Sequence, residues 1–304
     1  MTNTSPPFAP PFAPPYAPPY ALFVRGPPAR IFALSDDLGF EMDMQALAVS
    51  VFEDGPDSMH VQALFATEGE ANACQAALDL DGLEHFITQL PDEDWTAKSQ
   101  AGLPPVEAGR FFIYGSHDAD NIPGHAVYPI CINAGLAFGT GHHGTTAGCL
   151  LAFEALIDQS SKTKQDTGWP AKILDLGCGA GVLAIAAAKA LNRNVDATDI
   201  DMDAVEVTND NANINGVSHF ITAAQADGIT DRGKYDLVFA NILAKPLMLM
   251  ATDIAGALTD GGVVILSGLL DEQAQDMITC YEAQGLKPIR RASLKGWTTL
   301  SMRG

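Results

Sequence analysis

The residues with the most chemistry in their spacing are Asp175-Leu176-Gly177-Cys178-Gly179-Ala180-Gly181, followed down the chain by the carboxylate of Asp199. Alternating glycines let a backbone approach a ligand where a Cβ would clash. A carboxylate can accept hydrogen bonds from both hydroxyls of a ribose. Definite elements are needed to bring the two together. The apolar run Lys172 to Leu176 reads as a buried strand that feeds the glycines, and the alanine-rich run Val182 to Leu191 reads as the helix they open. Asn194 to Asp199 then reads as a second strand ending in the acid. Strand, glycine turn, helix, strand and acid together hold an adenosine in an open α/β sheet.

The glycine spacing bears on which nucleoside is held. A pyrophosphate fingerprint reads G-x-G-x-x-G and leaves a helix N-terminus facing two phosphates. Here the spacing is G-x-G-x-G, with Val182 where the last glycine of that fingerprint would fall. Asp175 stands two residues before the first glycine, and this acidic mouth suits a cationic amino-acid moiety better than a diphosphate. The segment therefore favours S-adenosylmethionine, with a nicotinamide dinucleotide as the competing reading.

The downstream pattern is regular. Asp201 is placed to cap a helix from Met202 towards Asn215, closed by Asn215-Gly216. Phe220 to Ala226 and Tyr235 to Ala240 read as strands, the second ending at Asn241. Pro246 sits in the first turn of a helix running to Leu258. Asp260-Gly261-Gly262 turns into a strand from Val263 to Ser267, and a helix spans Asp271 to Gln284. Pro288 to Leu294 and Trp297 to Arg303, joined by Lys295-Gly296, read as a hairpin. The fold class is α/β: a doubly wound Rossmann-like sheet closed by a C-terminal antiparallel hairpin, the ending that methyl-donor folds use. A small N-terminal α+β domain precedes it.

Four segments follow from the composition. Residues 1–28 form a proline-rich leader carrying Pro-Pro-Phe-Ala and Pro-Pro-Tyr-Ala repeats, expected to be disordered. It has neither the basic start nor the apolar stretch of a signal peptide. A groove-binding ligand for another protein is its alternative role. Residues 29–90 form the α+β unit, with strands at Ala48 to Phe52, Met59 to Ala66 and Glu84 to Gln89, and a helix at Glu68 to Leu78. Residues 91–134 are a connector containing two strands, Arg110 to Tyr114 and Ala126 to Ile132. Residues 135–304 are the cofactor domain, entered through a helix from Ala147 to Ile157 and a polar linker from Gln159 to Trp169.

A chain of 304 residues with 47% hydrophobic content can bury two cores. Its formal net charge of −20 opposes nonspecific binding to nucleic-acid phosphates and favours small cations or a basic protein partner. The run Val182 to Ala188 is far too short to cross a bilayer. The 5 cysteines lack C-x-x-C spacing, which suits a reducing cytosol and offers neither a zinc site nor a disulfide framework. Cys178 reads as a small turn residue. His142 and His143 are adjacent, point apart and have no carboxylate grouped with them, so no metal is expected. Asp227 is a candidate for the adenine amino group or an ordinary turn acid.

Three ordered motifs resemble one family. Gly135-Leu136-Ala137-Phe138-Gly139-Thr140-Gly141-His142-His143-Gly144-Thr145-Thr146, the run Asp175 to Ala186, and Asn241-Ile242-Leu243-Ala244 together resemble the PrmA family, whose members methylate large-subunit ribosomal protein eleven. The resemblance runs from about Leu90 to the C-terminus. It implies S-adenosylmethionine as cofactor, held by residues matching Thr146, Gly177, Asp199 and Asn241, with Gly179 in the same turn. It also implies that the N-terminal unit recognises the ribosomal protein. Methyl transfer to nitrogen needs a neutral amine, and Asn241 can accept an N–H without adding negative charge, so Asn241 is the expected catalytic residue. Alternatives are a lysine methyltransferase acting on another protein, an NAD-dependent oxidoreductase, and a non-catalytic adaptor using the leader.

Overall fold

The computed structural model describes residues 20–36, 38, 46, 48–55, 58–90, 105–132, 144–162, 169–229 and 233–304. The chain separates into two compact units, Met1–Asp94 and Trp95–Gly304.

The first unit runs β1 (Tyr20–Gly26), α1 (Pro28–Asp36), β2 (Ala48–Gly55), β3 (Ser58–Phe65), α2 (Glu68–Ala77) and β4 (Glu84–Gln89). Its four strands form one antiparallel sheet in the order β2-β3-β1-β4. Burial alternates along β3: Met59, Val61, Ala63 and Phe65 point into the core, while the residues between them stay half-exposed. Among the described residues, that is the period of a sheet with one buried face. Thr67 starts α2 with a reciprocal cap: its hydroxyl accepts from the Glu70 N–H at 3.3 Å, and Glu70 accepts from the Thr67 N–H at 2.9 Å. Strand β1 occupies residues that the proline density assigns to the leader. The apolar run from Ala21 to Val24 pairs with both β3 and β4, and that pairing outweighs its proline-rich neighbours. The repeats before Tyr20 lie outside the described residues.

The second unit opens with a small sheet, β5 (Val106–Ala108), β6 (Phe111–Tyr114) and β7 (Tyr128–Cys131). Then follow α3 (Gly144–Lys162), β8 (Ile173–Leu176), α4 (Val182–Leu191), β9 (Val195–Asp199), α5 (Met202–Ile214), β10 (Ile221–Gln225) and β11 (Tyr235–Asn241). The chain closes with α6 (Ala244–Leu249), α7 (Ala251–Gly256), β12 (Leu258–Leu270), α8 (Ala274–Glu282), β13 (Lys287–Leu294) and β14 (Trp297–Arg303). The seven strands are ordered β10-β9-β8-β11-β12-β14-β13, parallel from β10 to β12, with β14 antiparallel to β12 and β13 antiparallel to β14. The order reverses at β8, so a ligand crevice is expected beyond the C-terminal ends of β8 and β11. The closing hairpin turns at Lys295 (φ 52°) and Gly296 (φ 81°), the left-handed pair that matches strand twist.

Apolar layers cover both faces of this sheet. Strand β11 sends Leu237 and Phe239 into one layer and Val238 and Ala240 into the other, which explains its unbroken apolar sequence. Phe153 of α3 meets Phe239 edge-on, with ring centroids 5.2 Å apart at 81°. This contact seats α3 across the strand that ends at Asn241.

Several boundaries differ from the sequence expectations. Helix α3 begins at Gly144 rather than Ala147 and continues through Gln159 to Lys162, where a linker was expected. Arg110 grips Glu154 (2.6 Å) and Asp158 (2.8 Å) one turn apart, supporting that extension. The helix expected from Pro246 to Leu258 divides at Met250 into α6 and α7. Strand β12 absorbs the Asp260-Gly261-Gly262 turn as an irregularity, Gly261 taking φ 76°, and extends to Leu270.

Candidate active site

Gly177, Gly179 and Gly181 all adopt positive φ (70°, 52° and 80°), so the alternation read from the sequence is a conformational requirement. A Cβ on Gly177 would strike the Ile242 side chain, and one on Gly181 would press on Thr208. The turn is fixed by its backbone. The N–H groups of Gly177 and Cys178 donate to the Thr198 carbonyl at 2.8 and 3.0 Å. Helix α5 braces it from behind: the Thr208 hydroxyl donates to the Gly179 carbonyl (2.8 Å) and the Asn211 amide to that of Ala180 (2.9 Å). Neither bracing residue belongs to the glycine motif, and their spacing three apart on a helix was the signal for them.

Asp199 ends β9 beside this turn. One carboxylate oxygen accepts the Gly179 N–H at 2.9 Å and the other accepts the Asp201 N–H at 3.1 Å. A carboxylate has about four lone-pair sites, so capacity remains for two further donors such as vicinal hydroxyls. Ile200 follows it, 65% exposed, an apolar surface that the sequence reading did not single out. Asp201 caps α5 through the Asp203 N–H, as expected.

Asn241 stands at the end of β11. Ala240 pairs with Leu176, so Asn241 lies one step beyond that pair, next to Gly177. Its side-chain amide donates to the Thr146 hydroxyl at 3.2 Å, and Thr146 is 2% exposed in the first turn of α3. Two candidates 95 positions apart in the chain are therefore in direct contact. Gly268 (φ 86°) lets β12 pass against the backbone just after Asn241, because a Cβ there would overlap the Ile242 carbonyl.

Asp175 is not an open acidic mouth. It is buried, and its carboxylate accepts the Ala184 N–H in the first turn of α4 at 2.9 Å. Burial pushes it up to about 7; the Ala184 bond opposes that rise and the Asp199 charge adds to it. Burial likewise pushes the Cys178 thiol up to about 12, and the nearby Asp175 charge adds to this. Cys178 is thus a protonated packing residue whose sulfur lies 3.3 Å from the Thr208 hydroxyl oxygen. Asp227 is exposed in a turn after β10. His142 and His143, with the rest of 133–143, lie outside the described residues.

The backbone cradle, the carboxylate and the Asn241–Thr146 pair converge at the switch point of the sheet. A model of the family described as ribosomal protein L11 methyltransferase (PrmA) matches residues 35–304. The ribosomal protein L11 methyltransferase of Rhodopseudomonas palustris (strain BisB5) is 42% identical over 291 residues, covering 92% of this chain and 95% of that protein. The protein of the same name from Caulobacter sp. (strain K31) is 40% identical over 284 residues, covering 92% and 96%. Among solved structures, the ribosomal protein L11 methylase of Lactobacillus delbrueckii subsp. bulgaricus superposes with a TM-score of 0.57 at 26% identity, covering 65% of this chain and 97% of that one. The chain belongs to the PrmA family of ribosomal protein L11 methyltransferases.

Proposed function

We propose that the protein is an S-adenosylmethionine-dependent N-methyltransferase that modifies amino groups of ribosomal protein L11. The observation that carries this reading is the meeting of Asp199, the glycine turn and the Asn241–Thr146 pair beyond the ends of β8 and β11. When bound, the sulfonium nucleoside supplies an electrophilic methyl carbon. On this reading Gly177 and Gly179 leave room for the nucleoside against the backbone, and Asp199 accepts the ribose hydroxyls. Ile200 offers apolar surface next to them. Relatives of the same name over most of the chain support the choice of target.

The attacking amine must be neutral. A lysine with its ordinary pKa of ~10.4 costs about 4.6 kcal/mol to deprotonate at pH 7, and an α-amine near ~7.8 costs about 1.1 kcal/mol. A carboxylate at the reacting nitrogen would stabilise the ammonium and raise that cost. Asn241 avoids this. Its amide nitrogen is committed to Thr146, which leaves the carbonyl oxygen to accept an amine N–H and aim the lone pair. Positioning of this kind supplies up to roughly 7–11 kcal/mol, so no dedicated general base is required.

The N-terminal unit, residues 29–90 together with β1, is the proposed recognition domain. Its sheet face opposite the core carries Phe23 stacked on Phe86 at 5.0 Å, beside Arg25, His60 and Glu84, which together line a shallow hollow. The reading places the enzyme in the cytoplasm with its target. Incubation with radiolabelled S-adenosylmethionine and total ribosomal protein tests it. Label in L11 is expected, and label in no ribosomal protein contradicts it.

A further inference from the structure

Asn241 is the last residue of β11, and Ser267 of β12 is its direct partner in the parallel sheet. Both reach the first turn of α3. Asn241 donates to the Thr146 side chain at 3.2 Å, and the Ser267 hydroxyl lies 3.3 Å from the Thr145 carbonyl. Behind Ser267 stands the Thr299 hydroxyl of β14, 3.0 Å away. All of these groups except Asn241 are withdrawn from solvent: Ser267 is 0% exposed, Thr146 2%, Thr299 3% and Thr145 5%.

Each hydroxyl has one proton to give. The Ser267 hydroxyl faces two carbonyl acceptors, Thr145 at 3.3 Å and Thr298 at 3.5 Å, the first being the nearer. Either hydroxyl of the Ser267–Thr299 pair can donate to the other; with Ser267 donating to Thr145, Thr299 is the donor to Ser267. Gly148, one turn further along α3, sits against the same threonine, and a Cβ there would overlap the Thr299 hydroxyl. Helix α3 is thus seated on β14 through a glycine and held to β12 through a hydroxyl, next to the point where Asn241 reaches it.

From this geometry we infer that Ser267 and Thr299 are positioning residues for Asn241: their hydroxyl relay fixes the first turn of α3, so that Thr146 holds the Asn241 amide with its carbonyl oxygen turned to the crevice. The inference rests on the catalytic reading of Asn241 given above. Neither residue lies in a motif that marks the site, and neither touches the reacting groups. Loss of the Ser267 hydroxyl removes its contact with the Thr145 carbonyl, and loss of the Thr299 hydroxyl removes the group that orients Ser267; either lets the turn and Thr146 shift against β11.

The test uses the full chain and two readouts: turnover on ribosomal protein L11, and the NMR resonances of the Asn241 side-chain amide, assigned by their loss in Asn241→Ala. Thr299→Val keeps the shape and removes the hydroxyl, whereas Thr299→Ser keeps the hydroxyl and removes a buried methyl. We expect Ser267→Ala and Thr299→Val to shift the Asn241 resonances and slow turnover about 3- to 10-fold. Thr299→Ser should leave both unchanged even where it lowers the urea midpoint, which a packing role alone would not produce. Ser267→Ala added to Asn241→Ala should slow turnover no further.

Unmoved Asn241 resonances in both Ser267→Ala and Thr299→Val overturn the inference, as do losses that multiply in the double variant. If Ser267→Ala does not fold, the Thr299 pair decides the question by itself. Full turnover in Asn241→Ala removes the catalytic reading and this inference together, whereas silence of the hydroxyl variants beside a slow Asn241→Ala removes the inference alone. The resonances give a result even if L11 is not the substrate.

Discussion

The glycine turn with Asp199 and the Asn241–Thr146 pair lie side by side but are built in opposite ways. The first is local. It spans β8 to the end of β9 and is held mainly by backbone N–H groups, those of Gly177 and Cys178 on the Thr198 carbonyl and that of Gly179 on the Asp199 carboxylate, with Thr208 and Asn211 of α5 bracing it. Its specification is conformational, since positive φ at alternate positions admits glycine with little competition. The second joins residues 95 apart through one side-chain hydrogen bond, and its geometry depends on how α3 packs on β11, β12 and β14. On the proposed reading the first holds the donor and the second aims the acceptor. A site fixed by backbone should lose binding when altered, and one fixed by packing should lose turnover.

The strongest challenge to that division is Asp199→Ala. Losing the two charge-assisted bonds proposed to the ribose, each worth about 1.5–3 kcal/mol, should weaken S-adenosylmethionine binding about 100-fold or more by calorimetry. Unchanged affinity would remove Asp199 from the donor site.

Asp175 tests the backbone half through pH. Burial raises it from 3.8 to about 7 in the folded chain. Between those values the folded state keeps a proton that the unfolded state has released, so stability falls as pH rises, by up to about 1.4 kcal/mol per pH unit. Below the window the contribution is fully present, and above it the loss is complete. Asp175→Asn keeps an oxygen for the Ala184 N–H and removes the titration. Urea midpoints from pH 4 to pH 7 should converge on the acid side and favour the variant at neutral pH; parallel curves would contradict the burial argument.

A smaller effect is expected at Gly181, where φ is 80° and a Cβ would press on Thr208. Gly181→Ala should cost about 2 kcal/mol in urea denaturation, from the left-handed penalty together with the displaced Thr208. A neutral substitution would mean that the turn is not conformationally specified. The smallest expected change sharpens the comparison most. Asn241→Ala should slow turnover about 10-fold, equivalent to ~1.4 kcal/mol, while donor affinity stays within about 3-fold. Equal losses in both would erase the division between the two halves.

The same contrast explains what could be read from the sequence. Asp175 to Asp199 was legible because its strand, turn, helix and acid are adjacent and each residue type answers a local demand. The closing hairpin was legible for the same reason, through Lys295-Gly296. Strand β1 was not, because its pairing with β3 and β4 involves residues far along the chain while its immediate neighbours are prolines. Thr146 and Asn241 entered as separate candidates by resemblance, and their contact follows only from the packing of α3. Ser267 and Thr299 carry no motif. The open acidic mouth at Asp175 was a misreading of the same kind: a strand-end carboxylate is placed by sequence, but its direction into the first turn of α4 is set by the fold.

The most direct measurement is a crystal structure of the protein soaked with S-adenosylmethionine. The account predicts a sugar diol bound to the carboxylate of Asp199, adenosine lying over Gly177 and Gly179, and the transferable methyl directed towards Asn241. A nucleoside bound elsewhere, or a crevice that instead takes up a phosphate-bearing dinucleotide, would contradict it.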